Sequence, residues 1–215
     1  TIVHDQTFPD VIVIGEEDAL SGDQLLSCYK LLCKNDPQIF RMDALSAEIT
    51  KIALNCFLTC KISYANMIGD LAKKVGADEN KILSAVGADS RIGNKFFNYG
   101  YGYGGPCFPR DTRAYLRYSN DNYMDATMVD AAQKYNQIHF NYYVEDFVSQ
   151  NSKNEPVFLD GVCYKKGVDI IESSQQLDFA VELANRGYKV TIRDYPSVIA
   201  QIQEIHSDLF SYESY

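Results

Sequence analysis

The 215-residue sequence lacks any long apolar run, and its cations are outnumbered by its anions. No stretch approaches the roughly 18 apolar residues of a membrane-spanning helix, and the N-terminus lacks the basic-then-apolar pattern of a secretion signal. Twenty Lys and Arg face 29 Asp and Glu, for a net charge of -9. We therefore expect neither nucleic acid nor a membrane as a partner, because such surfaces bind clustered cations. A single nucleotide ligand needs only one or two cations and is compatible with this composition.

Metal-binding spacings are also lacking. No two cysteines form a C-x-x-C pair and the three histidines lie far apart, so we predict no zinc site. Without a secretion signal, we predict reduced thiols in a cytoplasmic protein. Cys56 and Cys60 lie four residues apart in an apolar helical pattern and are interpreted as core residues.

The apolar pattern predicts a mixed α/β protein. A strand at Val11 to Ile14, helical spacing from Asp18 to Cys33 and a strand at Ile39 to Met42 resemble the end of a larger α/β domain. A helix of about 30 residues follows, with a predicted cap at Ser46 and a stop at Gly76. Helices of this length generally form the spine of a domain or pack across a dimer axis.

The second half of the chain changes from helices to one strand–helix–strand unit. Because one such unit cannot bury its own sheet, we expect this region to be incomplete or completed by another chain. The predicted elements are helices from Asp78 to Gly87, from Asp111 onward, from Asp125 to about Val148 and from Ser174 to Asn185, and strands at Val157 to Tyr164 and Lys189 to Arg193.

Residues 91–110 form a long glycine-rich loop without periodicity, a feature that tends to be functional. Near its end, Gly104 and Gly105 precede a cysteine, Cys107, which is flanked by prolines. Asp111 is the predicted N-cap of the next helix, whose dipole would favour a Cys107 thiolate. By composition alone, a surface loop with an incidental thiol explains the segment equally well.

The segment Asn98-Tyr-Gly-Tyr-Gly-Tyr-Gly-Gly-Pro-Cys-Phe-Pro-Arg-Asp111 closely resembles a family signature, G-x-G-x-G-G-x-C-x-P-[KR]-D. It belongs to the UDP-glucose/GDP-mannose dehydrogenase family, and the likeness is to the UDP-glucose form. The resemblance runs from about Pro9 to Pro196. Its other supporting segments are Ala47 to Asn55, Arg91-Ile92-Gly93, and Gly161 to Lys165 with Asp169, Ser173 and Ser174.

The resemblance implies an α/β protein of three regions. Residues 1–43 would be the C-terminal end of a Rossmann-type NAD-binding domain, and residues 44–150 a central helical dimerisation and catalytic-loop domain. Residues 151–215 would begin a Rossmann-like UDP-binding domain that is truncated. UDP-glucose is the implied substrate, NAD the implied cofactor, and a homodimer through the central helix the implied assembly.

The family oxidises the C6 alcohol of the sugar to a carboxylate in two hydride transfers to NAD⁺. The resemblance makes Cys107 the nucleophile that forms a thiohemiacetal and then a thioester. Lys51 and Asn55 lie four residues apart and share a helix face, from which they would stabilise oxyanions. Asp111 would position or activate the water that cleaves the thioester.

For binding, the resemblance implies that Arg91 reaches the UDP-sugar from a neighbouring subunit, and that Gly104 and its neighbours offer backbone contacts. Lys165 would meet the sugar or phosphates and is also the candidate for cofactor binding. Phe96 stands where the family often has a substrate-contacting tyrosine. Without the resemblance, Lys51 and Asn55 would be interpreted as polar residues on the outer face of a helix.

Parts of the family pattern are missing. The Rossmann turn G-x-G-x-x-G that holds the NAD pyrophosphate and an S-P-E-F-[LI] segment belong upstream, and Glu172 replaces an arginine that contacts the cofactor. We therefore expect a fragment that is inactive by itself. Two alternatives stay open: a dimerising remnant that does not oxidise its ligand, and a dehydrogenase of GDP-mannose or UDP-N-acetylmannosamine. The amino-acid sequence of the glycine-rich loop favours UDP-glucose as the substrate.

Overall fold

A computed structural model describes residues 2–215 and has the expected mixed α/β architecture. The chain forms two compact units, one up to Leu54 and one from Asn55 to Tyr215. Among the helices described, none is long and apolar enough to cross a membrane.

The first unit contains a two-stranded parallel sheet. Its strands pair in register from Val11 opposite Gln38 to Gly15 opposite Met42, and Ile12 and Ile14 point to the buried side. The helix between the strands begins where the Asp18 carboxylate accepts a 2.8 Å hydrogen bond from the Ser21 amide. The elements are α1 (Ile2–Thr7), β1 (Val11–Gly15), α2 (Ala19–Leu32), β2 (Gln38–Met42) and the beginning of α3 (Ala44–Val75).

The long helix α3 begins three residues earlier than predicted, and Ser46 is not its cap. The Asp43 carboxylate accepts hydrogen bonds from the Ser46 amide at 2.8 Å and from the Ser46 hydroxyl at 2.7 Å. These bonds lower the pKa of Asp43 because they favour its ionised form. Aspartate therefore caps this helix and serine supplies the donors.

The second unit starts with helices. It continues α3 and adds α4 (Glu79–Gly87), α5 (Phe108–Asp121) and α6 (Thr127–Gln150). Asp78 caps α4 as predicted, through a 3.0 Å bond from the Lys81 amide. The prediction that Asp111 caps the next helix is wrong: α5 begins at Phe108, Cys107 occupies the N-cap position, and Asp111 lies in the first turn.

The second unit ends in a three-stranded parallel sheet in the order β3-β4-β5. Side chains from the sheet, its crossover helices and α6 form the main core, including Val144, Leu183, Ile192 and Ile202. The strands are β3 (Val157–Asp160), β4 (Val190–Asp194) and β5 (Ser211–Ser214), and the crossover helices are α7 (Gln175–Asn185) and α8 (Pro196–His206). β3 is shorter than predicted, because the chain turns away at Gly161, which has a φ of 83°.

Candidate active site

Cys107 lies at the start of α5, between two prolines. Its side chain is exposed, and its carbonyl oxygen accepts the first helical hydrogen bond from the Asp111 amide at 2.8 Å. Pro109 fits the first turn because that turn leaves backbone N–H groups without helical partners. The thiol therefore stands at the positive end of the helix dipole.

Asn55 and Asp111 are brought together beside this helix start. The Asn55 amide Nδ2 donates to Asp111 Oδ2 at 2.6 Å, and the Arg110 Nε donates to Asp111 Oδ1 at 3.0 Å. Asn55 is 8% exposed and Asp111 is 6% exposed, so this is a buried polar contact. The Asp111 carboxylate is thus fixed in place by a donor on each oxygen.

Arg110 is paired with Asp111 and also senses the Cys107 thiol electrostatically. The Asp111 carboxylate raises the pKa of Arg110, and Cys107 and Glu172 make smaller contributions in the same direction. Arg110 was noted in the sequence only as part of the signature and was given no role. Lys51 belongs to the first unit, one helical turn before Asn55, and its approach to Cys107 stays a prediction from the sequence.

The glycines before Cys107 pack closely against the segment that leads into α7. The Gly105 amide donates to the Ser173 carbonyl at 3.1 Å. A Cβ added at Gly104 would lie 2.1 Å from that same carbonyl oxygen, and one added at Gly105 would lie 2.4 Å from the Tyr164 ring. Protein packing therefore requires glycine at both positions. Their predicted backbone contacts with substrate remain a prediction.

Lys165 is close to the same part of the loop. Its Nζ lies 5.5 Å from the centroid of the Tyr164 ring, the ring that packs on Gly105. Phe96 also lies near the loop end, with its ring 6.3 Å from that of Phe108 in an edge-to-face contact. The backbone φ of Phe96 is 60°, a conformation that bulky residues rarely adopt.

Arg91 lines a separate groove of about 710 Å³ on the outer side of α3. Asp89 holds its guanidinium with two hydrogen bonds, from Nε at 3.0 Å and from Nη2 at 2.7 Å. The guanidinium lowers the pKa of Asp89. The side chain of Arg91 is 87% exposed, so its charge is presented outward.

The tyrosines of the loop pack against the protein. The ring centroid of Tyr101 lies 5.2 Å from that of Tyr143 and 5.9 Å from that of Phe179. Burial raises the pKa of Tyr101. Burial also raises the pKa of Tyr103, to about 12.

Sequence reasoning missed Asn136, whose amide donates to the Tyr103 carbonyl at 3.0 Å and accepts from the Tyr103 amide at 2.9 Å. Asn136 lies in a long helical pattern, and nothing in the sequence distinguishes it.

The turn after β1 does not fit a dinucleotide. Gly15 is followed by Glu16, Glu17 and Asp18, which would repel a pyrophosphate at the start of α2. The Glu16 carboxylate also fills the space beside Gly22, since a Cβ there would lie 1.6 Å from Glu16 Oε2. Within residues 2–215, no cluster of three His, Cys, Asp or Glu is arranged to hold a metal ion.

Comparisons with known proteins identify a family that resembles this chain. Residues 45–138 match the central domain of the UDP-glucose/GDP-mannose dehydrogenase family. The chain is 32% identical over 195 residues to a UDP-glucose 6-dehydrogenase of Rickettsia bellii (strain RML369-C), covering 89% of this chain and 45% of that protein. It is 29% identical over 210 residues to a GDP-mannose 6-dehydrogenase of Pseudomonas syringae pv. tomato, covering 97% of this chain and 47% of that protein.

A solved structure extends the likeness to the fold. The UDP-glucose dehydrogenase from Pyrobaculum islandicum superposes with a TM-score of 0.88 at 32% identity, covering 98% of this chain and 48% of that chain. The chain belongs to the UDP-glucose/GDP-mannose dehydrogenase family. It spans slightly less than half the length of the curated relatives named above.

Proposed function

We propose that this chain is part of an NAD-dependent dehydrogenase that oxidises UDP-glucose to UDP-glucuronate through covalent intermediates on Cys107. The observation that carries the proposal is the exposed Cys107 thiol at the start of α5, beside the buried pair of Asn55 and Asp111. A nucleophile at the positive end of a helix, with a fixed carboxylate nearby, suits the formation and hydrolysis of a thioester.

Cys107 would carry two covalent intermediates. Loss of a hydride from C6 and of the hydroxyl proton would first turn the alcohol into an aldehyde. The sulfur of Cys107 then bonds to the aldehyde carbon, and the thiol proton ends on the carbonyl oxygen, giving a thiohemiacetal. Loss of a second hydride and of the hydroxyl proton gives a thioester, and NAD⁺ is the acceptor of both hydrides that the family resemblance implies. Water then attacks the thioester carbon, which releases the carboxylate and restores the thiol. Because the turn after β1 does not fit a dinucleotide, we assign no residue of that turn to the hydride transfers.

The neighbouring side chains have separate roles. Asp111, held by Asn55 and Arg110, would orient the hydrolytic water. The Asn55 amide carries a second N–H, which together with the Lys51 ammonium would stabilise the oxyanion of the tetrahedral intermediate. Lys165, beside Tyr164, would meet the sugar or phosphates.

UDP-glucose is the substrate that the loop sequence favours. The identity of 32% to a UDP-glucose 6-dehydrogenase, against 29% to a GDP-mannose 6-dehydrogenase, points the same way by a small margin. The glycine-rich loop carries the stronger argument, because it surrounds Cys107 and packs on the segment that contains Lys165. GDP-mannose and UDP-N-acetylmannosamine are the competing substrates to test.

We also propose a homodimer through α3. Exposed apolar side chains recur at helical spacing along its outer face, and the groove that they border includes Arg91. A second copy of the chain seated there would cover this face and would carry its Arg91 toward the partner's site. The side chains are Phe57, Tyr64, Met67, Leu71 and Val75.

One observation favours a second candidate, a dimeric nucleotide-sugar-binding protein that does not oxidise its ligand. Glu172 stands where the family commonly has an arginine, and its carboxylate lies close enough to Arg110 to raise the pKa of that guanidinium. A carboxylate there would weaken the binding of an anionic cofactor.

Two measurements test the proposal. Calorimetric titration of the chain with UDP-glucose, GDP-mannose and UDP-N-acetylmannosamine should give the tightest binding for UDP-glucose, little changed in Cys107→Ser and weakened in Lys165→Ala. The C6 aldehyde of UDP-glucose should protect Cys107 from alkylation more strongly than UDP-glucose does, while exposed Cys28 stays reactive. If UDP-glucose binds but the aldehyde gives Cys107 no added protection from alkylation, the second candidate, a binding protein that does not oxidise its ligand, is favoured. If none of the three nucleotide sugars binds, both the dehydrogenase and the binding protein are refuted.

A further inference from the structure

A buried histidine connects α6, α3 and the catalytic loop. His139 is 1% exposed, and its Nδ1 lies 2.9 Å from both carboxylate oxygens of Asp70 on α3. Its Nε2 lies 2.7 Å from the carbonyl oxygen of Gly100, in the loop that ends at Cys107. The steps of the proposed reaction make no use of this histidine.

The hydrogen-bond partners determine which ring nitrogen donates to the loop. Asp70 accepts from the Tyr99 hydroxyl at 3.0 Å and from the Tyr135 hydroxyl at 2.9 Å. A carbonyl oxygen can only accept, so Nε2 must carry the proton in the contact with Gly100. Asp70 contacts the opposite ring nitrogen and so orients the ring toward the loop.

The contact with Gly100 belongs to a larger attachment of the loop. On its other side, the Gly100 amide donates to Asn66 Oδ1 on α3 at 3.1 Å. Further along, Asn136 binds both backbone polar groups of Tyr103. Asn136 and His139 are three residues apart on α6 and so lie on one face of that helix. Two side chains of one helix thus hold the loop at two points before the cysteine.

We propose that His139 is a positioning residue, which fixes the loop that carries Cys107 by donating a hydrogen bond from Nε2 to the Gly100 carbonyl. Asp70 acts through it, by orienting the ring through the contact with Nδ1. Only the importance of the loop for catalysis rests on the proposed function; the attachment itself is tested without nucleotide sugar, so the two can fail separately.

Two variants separate the hydrogen bond to Gly100 from the other roles of the His139 side chain, which are to fill space and to contact Asp70. In His139→Gln the side-chain amide reaches the position of Nε2 and can still donate to Gly100. In His139→Asn the shorter amide reaches the position of Nδ1 and can donate only to Asp70. Tyr135→Phe is the matched control, because it removes a donor from Asp70 and leaves the contact with Gly100 in place.

Amide hydrogen exchange is measured for Gly100 to Gly105, with β4 as the internal reference for global opening. We expect exchange in the loop to become about tenfold faster in His139→Asn and to stay within about threefold of wild type in His139→Gln and Tyr135→Phe. Equal acceleration in both histidine variants, or none in His139→Asn, would overturn the proposal.

A second measurement needs no variant. The ¹⁵N shifts of the His139 ring in the wild-type chain should show a proton on Nε2. An unprotonated Nε2 would refute the hydrogen bond to Gly100 even if a variant did not fold.

Discussion

Asn55 and Asp111 are 56 residues apart in the sequence, and their side chains meet at 2.6 Å. The first lies on the long helix α3 and the second in the opening turn of α5, one turn after Cys107. Because the contact is buried, neither group can easily exchange its partner for water, and the loss of Asn55 would remove the donor to Asp111 Oδ2. The contact therefore links the packing of two helices to the position of the thiol.

Asn55→Asp would place two carboxylates in this contact. We expect it to lower the free energy of unfolding by at least about 2 kcal/mol at pH 7.5, because two buried carboxylates repel and Asp111 Oδ2 loses the amide that donates to it. The loss should shrink at pH 4.5, where one carboxyl can take a proton and donate it to the other. Urea unfolding at the two pH values measures both effects.

The control for this variant is Asn80→Asp, on the exposed first turn of α4. It should change the free energy of unfolding by less than about 0.5 kcal/mol at either pH. A loss for Asn55→Asp that is the same at both pH values would show that repulsion between carboxylates is not its cause.

Gly104→Ala tests the packing of the loop against the segment before α7. The new Cβ would lie 2.1 Å from the Ser173 carbonyl oxygen, a backbone atom that cannot easily move. We expect a loss of about 1–3 kcal/mol in unfolding free energy and a measurable change in the alkylation rate of Cys107. Gly76→Ala is the comparison, since Gly76 has a φ of 76° and a Cβ there meets no described atom within 4 Å. It should cost about 1 kcal/mol from backbone strain and leave Cys107 unchanged.

The regular elements with strong apolar periodicity could be predicted from the sequence. The parallel β1–α2–β2 unit, the long helix and the β3–α7–β4 unit all occur within a few residues of the expected positions. The third strand of the second sheet was missed, because Ser211–Ser214 carries one aromatic residue among polar ones and lies at an edge. Its pairing with β4 is a tertiary effect that no local pattern reports.

Helix starts were less predictable than the helices themselves. Asp43 and Ser46 are both good caps, and the sequence does not say which one accepts and which one donates. The residues of the signature can be identified from its amino-acid pattern. Asn136 and His139 lie on α6, where no motif surrounds them. Their importance depends on a loop far away in sequence, which only the folded chain brings to them.

Cys163 should be the least reactive of the three cysteines Cys28, Cys107 and Cys163. Burial, and secondarily the Asp194 carboxylate, raises the pKa of its thiol to about 11. At pH 8 about 0.1% of it is then thiolate, and we expect alkylation at least about a hundredfold slower than at exposed Cys107. Its rate should rise about tenfold per pH unit up to pH 10, as measured by peptide-resolved mass spectrometry with iodoacetamide.

The same shift has a consequence for stability. The unfolded thiol loses its proton near pH 9 and the folded one near pH 11, so the folded state holds more protons between these values. The contribution of Cys163 to stability is therefore full below pH 9 and falls as the pH rises toward 11.

In concentrated urea the difference in reactivity between Cys163 and Cys28 should disappear. Alkylation of Cys163 as fast as that of Cys28 in the native chain at pH 8 would contradict the burial of this thiol.

Phe57→Asp tests the proposed dimer. Phe57 is 69% exposed on α3 and borders the groove that includes Arg91. A charge at the centre of an apolar interface opposes association, since the carboxylate would be buried without a partner. We expect the wild-type chain to sediment as a dimer at tens of micromolar and Phe57→Asp as a monomer. Tyr123→Asp is the matched control, because Tyr123 is 98% exposed elsewhere and its φ of 58° suits aspartate.

The dimer variant also separates assembly from binding. If Arg91 reaches the nucleotide sugar of the partner subunit, Phe57→Asp should weaken UDP-glucose binding about as much as Arg91→Ala does, although Phe57 is not a predicted ligand contact. The two changes combined should then weaken binding no further, because both remove the same contact. Monomeric Phe57→Asp that binds UDP-glucose as tightly as wild type would show that each subunit holds a complete substrate site, and Arg91 would lose its proposed role.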